Sequence, residues 1–226
     1  IQSLTITNTS ITIGYKAGAG IKYGNELQYA VNLYNSSKTK AIAKYGPIEE
    51  WDTSKVTDMS SIFTGFKSFN QNIGGWNTSN VEYMDGMFAY TDDFNQNIGS
   101  WNTNNVNNMN AMFYHANAFN QNIGSWNTSS VTQMDHMFYT AKSFNQNIGS
   151  WNTNNVNNMN AMFYHANAFN QDIGNWNINN VKSTNNYVLF STKSALSKSY
   201  IPKGLQNFNG IFSDSSLRTA VLIYGN

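Results

Sequence analysis

The six tryptophans of the chain, Trp51, Trp76, Trp101, Trp126, Trp151 and Trp176, stand 25 residues apart. A fixed step of this length constrains the fold more than anything else in the sequence. A single 25-residue unit cannot bury its own apolar face and must stack on copies of itself. Other columns keep the step. Val56 recurs at Val81, Val106, Val131, Val156 and Val181, and Met59 at Met84, Met109, Met134 and Met159. Phe63 and Phe69 each found a column that runs to Phe163 and Phe169, and Ile48 one that runs to Ile173.

Two periods appear inside a unit. Val81, Met84, Phe88 and Thr91 fall on one face of a helix, with Thr78 and Ser79 ahead of it as N-cap residues. Trp76 and Thr78 are two apart, which puts both on one side of a short strand and Asn77 on the other. The expected fold is therefore an α/β solenoid: a leucine-rich-repeat-like stack of 25-residue strand–helix units with a parallel sheet on one face. The six tryptophans are its expected core, since each ring can bury roughly 150–250 Å².

The ends differ from the repeats. Residues 1–22 alternate as a β segment or linker, and residues 23–45 read as an N-terminal capping helix with Leu27, Ala30, Val31 and Tyr34 on one face. Residues 46–190 hold the repeats, opening on Pro47 at an edge strand. The last unit is degenerate, with Thr184 for Met and Val188 for Phe. Residues 191–226 read as a C-terminal cap, a linker and the start of a further module. Leu217, Ala220, Val221 and Tyr224 repeat the spacing of Leu27, Ala30, Val31 and Tyr34. Leu205, Phe208, Phe212 and Leu217 are the candidate assembly residues, because the stack offers them no obvious surface to cover.

Composition excludes several functions. The formal net charge of +1 gives no basic footprint for nucleic acid. With no cysteine, thiol chemistry and disulfides are absent. No apolar run reaches the ~20 residues of a membrane span, so no membrane insertion is expected. Only 11% of residues are charged, and 39 asparagines take over the work of solubility.

The run Phe69-Asn-Gln-x-Ile73-Gly-x-Trp76-Asn-Thr-Ser-x-Val81-x-x-Met84-x-x-Met87-Phe88 resembles the BspA-like leucine-rich-repeat family of bacterial surface proteins. The resemblance covers roughly residues 46–190. It implies display on a cell or virion surface and a role in adhesion, and it carries over no catalytic residue.

Chemistry-bearing residues are sparse. His115 and His165 share a column two units apart and His136 lies in another, so the three cannot meet on one zinc. The carboxylates show no calcium-loop spacing. No catalytic residue, metal or cofactor is expected. The outward column Asn77, Asn102, Asn127, Asn152 and Asn177 is the candidate binding face, either as a register-keeping amide ladder or as a polar surface. Residues 94–121 and 144–171 are identical, surface positions included, which suits a scaffold or a multivalent binder. The expected function is a non-enzymatic, extracellular repeat domain that binds protein or glycan. The alternative is a structural subunit or tandem module of a fibre, sheath or viral appendage, self-assembling through its flanking segments.

Overall fold

In a computed structural model of the chain, the described residues are 6–7, 10–11, 24–181, 190–191 and 193–203. Two short strands, β1 (Ile6–Thr7) and β2 (Ser10–Ile11), pair antiparallel, Ile6 opposite Ile11. Two helices follow, α1 (Gly24–Ser36) and α2 (Lys38–Tyr45), where the spacing predicts one. The serine run divides them. Ser36 Oγ donates to the Leu33 carbonyl at 3.2 Å, and Ser37 is extended (φ −157°, ψ 88°). Serine hydroxyls that bond the local backbone compete with helix propagation. The expected face of α1 is the one that packs: Leu27, Ala30, Val31 and Tyr34 are buried. Gly46 ends α2 at φ 82°, its N–H returning to the Ile42 carbonyl. Pro47 then opens a 3-10 turn over Ile48–Glu50 rather than an edge strand.

The repeats correct the expected strand–helix architecture. From 51 to 181 there is no α-helix and no strand, only turns and single-residue parallel bridges: Asp58 to Tyr83, Tyr83 to Asn108, Asn108 to Gln133 and Gln133 to Asn158. The helix fails because each unit holds two left-handed residues. Ser61, Gly86, Ala111, His136 and Ala161 form one such column, and Gly65, Tyr90, His115, Thr140 and His165 the other. An α-helix cannot run through them. The bonds within a unit are instead those of tight turns, such as Met87 N–H to the Met84 carbonyl and Thr91 N–H to the Phe88 carbonyl. The remaining N–H groups reach sideways. Met84, Gly86, Phe88 and Tyr90 donate to the carbonyls of Asn108, Asn110, Met112 and Tyr114 in the next unit, at 2.7–3.0 Å. Alternate amides thus find partners between units, which fixes the register without a sheet of strands.

Side-chain columns fill the interior. Trp101, Trp126 and Trp151 stack at 6.5 and 6.4 Å, each at most 4% exposed. Each indole N–H donates to a carbonyl of the preceding unit, Trp126 to Ile98 at 3.1 Å. Phe88, Phe113, Phe138 and Phe163 stack at 5.6 Å, and within a unit Phe113 lies 3.9 Å from Phe119. The buried threonines complete the wall: Thr78 Oγ1 donates to the Asn102 carbonyl at 3.0 Å and Thr103 Oγ1 to that of Asn127 at 2.9 Å.

The far end is closed by apolar residues at the junction of the last repeat and the segment that follows it. Phe190, Leu196 and Ile201 are buried in the core, Phe190 edge-on to Phe163 at 5.4 Å. The register lengthens here. Asn170 Oδ1 receives the N–H of Ser197, 27 residues on, whereas Asn145 Oδ1 receives that of Asn170, 25 residues on. Thr184 and Val188 lie outside the described residues, as do Leu205, Phe208, Phe212 and Leu217. Among the described residues, no helix is long and apolar enough to cross a membrane.

Candidate functional site

The asparagine column begins as a local device. Each side chain caps its own turn: the N–H of Ser79 reaches Asn77 Oδ1, that of Asn104 Asn102 Oδ1, and that of Ser129 Asn127 Oδ1, all at 3.0 Å. Asn154 and Asn179 repeat this on Asn152 and Asn177. Asp52 starts the column, and the Ser54 hydroxyl and N–H hold its carboxyl below the ordinary carboxylate range. Two of the amides also bridge units, Asn127 Nδ2 to Asn104 Oδ1 at 2.9 Å and Asn177 Nδ2 to Asn154 Oδ1 at 2.8 Å. Asn77, Asn102, Asn127 and Asn152 are exposed, but their oxygens are already engaged.

A second surface feature lies on the turns with left-handed residues. Tyr114 stacks on Tyr139 at 4.7 Å and Tyr139 on Tyr164 at 4.8 Å. Beside them, Tyr90 stacks on His115 at 5.0 Å, and the Tyr164 and His165 rings lie 4.4 Å apart. His136 joins from the other left-handed column, 5.7 Å from Tyr139. These rings are not core: Tyr90 is 46% exposed and Tyr114, His115, Tyr139, Tyr164 and His165 are half-buried. The backbone positions them, since left-handed turns tipped by ladder bonds such as His115 N–H to the Tyr139 carbonyl repeat at every level.

The face has its own electrostatics. Burial, then a bond with the Tyr90 side chain, pushes the Tyr114 phenol up to about 12. Tyr139 is raised too, again chiefly by burial. His115 is lowered, first by burial and then by the Lys142 ammonium. The raised phenols of Tyr114 and Tyr139 keep their protons at neutral pH, so the face offers hydrogen-bonding hydroxyls and ring nitrogens. Most ring faces are covered by the next ring, so a partner would meet edges, hydroxyls and ring nitrogens. Sequence reasoning places His115 and His165 in one column and His136 in another but does not single out the tyrosines beside them. The signal was the column itself, Tyr114, Tyr139 and Tyr164 at a 25-residue step beside Tyr90, His115 and His165.

The six tryptophans are buried in the core. His115, His136 and His165 do not converge as ligands. Among the described residues, no group of three or more histidines, aspartates or glutamates is placed to hold a metal ion.

No curated protein and no solved structure matches the chain. The sequence profile of one family, described as Mycoplasma protein of unknown function, DUF285, matches it twice, over residues 31–132 and 98–203. The two matches overlap and together cover the second helix, the repeats and the closing residues, so this chain belongs to the DUF285 family.

Proposed function

We propose that the chain is a non-enzymatic repeat domain displayed outside the cell or on a virion, where it binds protein or glycan through the tyrosine–histidine face. What supports this is that the face spends large aromatic side chains outside the core. Tyr90 is exposed and Tyr114, Tyr139 and Tyr164 are half-buried at the surface, and tyrosine is among the residues most enriched at binding interfaces. A non-enzymatic role suits repeats whose polar groups are engaged in turns and inter-unit bonds. Kinship with BspA-like surface repeats belongs to the same reading.

The test uses the labelled full chain on fixed epithelial cells and on a printed panel of matrix proteins and glycans. The expected result is saturable binding, cut at least tenfold in a Tyr139→Ser/Tyr164→Ser variant that unfolds with the parent's cooperativity. Binding that survives the double substitution removes the face from the proposal. Concentration-dependent association in light scattering, without surface binding, favours instead the tandem or fibre module joined through Leu205, Phe208, Phe212 and Leu217.

A further inference from the structure

Where α1 and α2 meet the first repeat, a cleft of about 460 Å³ lies open, lined by Tyr34, Lys38, Gly65, Phe66, Lys67 and Gln71 among others. Ligand pockets of about 300–1,000 Å³ are ordinary. At two consecutive lining residues, Gly65 and Phe66, the first repeat departs from every sibling, and the lysine of the next, Lys67, recurs only at Lys142. Gly65 stands in the column of Tyr90, His115, Thr140 and His165; Phe66 in that of Thr91, Ala116, Ala141 and Ala166; Lys67 in that of Asp92, Asn117, Lys142 and Asn167.

Gly65 is the informative one. Its φ is 78°, but Tyr90, His115, Thr140 and His165 adopt 56–57° at the same place with side chains attached. The backbone therefore does not demand glycine. Nor does crowding, since a Cβ added at Gly65 meets nothing within 4 Å. The glycine's effect is to leave the cleft empty where sibling units hold a side chain. The half-buried Phe66 packs on the core at its edge and Phe63 lies 6.4 Å from it.

The polar lining has one sign. Lys38 and Lys67 are exposed and, among the described residues, no carboxylate lines the cleft. Lys38 Nζ donates to Gln71 Oε1 at 3.3 Å and lies 5.4 Å from the Tyr34 ring, so it is held at the wall. Asn35, Ser68 and Gln71 add amides and a hydroxyl. Residues 1–22 contain Lys16 and Lys22 but no aspartate or glutamate, so they do not match this charge.

We propose that this cleft is a binding site for a carboxylated sugar of the hexuronate type. Lys38 and Lys67 hold the carboxylate, Phe66 meets the apolar face of the ring, and Asn35, Ser68 and Gln71 serve the hydroxyls. The site shares no residue with the tyrosine–histidine face, and either can fail without the other.

The experiment is calorimetric titration of the full chain with sodium glucuronate, with glucose and sodium sulfate as controls, and amide chemical shifts to locate binding. Gly65→His and Lys67→Asn each install a residue found at the same place in sibling repeats, so both are expected to fold, which their unfolding curves check. The expected result is saturable glucuronate binding with shifts at Gly65 and Lys67. It should fall at least tenfold in Gly65→His and several-fold in Lys67→Asn, and glucose and sulfate should bind at least tenfold more weakly. Absence of glucuronate binding, equal binding of sulfate or glucose, or full binding by folded Gly65→His overturns the proposal.

Discussion

At the residue scale the stack depends on side chains with a partner above and below. Trp126 is 4% exposed, lies between Trp101 and Trp151, and bonds the Ile98 carbonyl. Trp126→Ala should cost roughly 3–5 kcal/mol, as deletion of a large buried aromatic does. Trp126→Phe keeps most of the apolar contact and removes only the indole bond to the Ile98 carbonyl, which still accepts the Trp101 N–H, so it adds about 0.5–1.5 kcal/mol to any packing loss. Urea unfolding of both variants checks the order; a neutral Trp126→Ala would refute the column. Tyr114 gives a pH-dependent counterpart. Its phenol is raised from 10.0 to about 12, so the folded chain holds a proton that the unfolded chain has already lost in that window. The unfolded state then binds fewer protons, and stability falls as pH rises from about 10 to about 12. Tyr114→Phe should flatten part of that alkaline loss in unfolding curves taken across the window.

At the element scale the unit is a chain of tight turns, and its glycines and left-handed residues divide the work. A Cβ on Gly124 would lie 2.5 Å from the Asn147 carbonyl oxygen, a backbone atom held in the stack. Gly124→Ala should therefore cost about 1–3 kcal/mol by overpacking. Ala111 is the converse, at φ 51° with a side chain that this region disfavours. Ala111→Gly should raise stability by up to about 1 kcal/mol, since the left-handed penalty on a Cβ of roughly 1–2 kcal/mol exceeds the entropy that glycine loses. Thermal unfolding of the pair should give shifts of opposite sign. These residues also show what was legible in the sequence. The columns, the inward Trp76 and Thr78 and the buried face of α1 follow from spacing alone. The turns do not: Val81, Met84 and Phe88 have helical intervals, and nothing in Ser61, Tyr90, Ala111 or His115 announces a left-handed backbone. The surface face is legible in the repeated Tyr114, Tyr139 and Tyr164, whereas the cleft is legible only by comparing unlike residues within one column, such as Gly65 with Tyr90. The two-residue lengthening between Asn170 and Ser197 sits where the columns fade, so the sequence suggests a cap over 191–226 without singling out Phe190 or Ile201 as its closing residues.

At the scale of the whole molecule, stability is a sum of similar interfaces, because each unit bonds chiefly to the next. One edge shows this plainly: the N–H groups of Asn95, Asn120, Asn145 and Asn170 donate to Oδ1 of Asn70, Asn95, Asn120 and Asn145 at 2.9–3.0 Å. The glutamines beside them bond the same asparagines, Gln121 Nε2 reaching Asn95 Oδ1 at 2.8 Å. Such a stack should tolerate the loss of one full step. Deleting 119–143 joins Ala118 to Phe144 and restores every column, since 94–121 and 144–171 are identical. The shortened chain should unfold in one cooperative transition with a smaller denaturant slope, in proportion to the surface it no longer buries. Deleting 119–144 instead removes Phe144 and leaves the chain one residue short of the step. The stack can absorb surplus residues, as it does between Asn170 and Ser197, but a taut connection cannot lengthen. That variant should lose at least one of its interfaces, with a broad transition and partly exposed tryptophan fluorescence. If both deletions unfold alike, the 25-residue step does not set the register, and the inter-unit bonds are a consequence of packing rather than its guide.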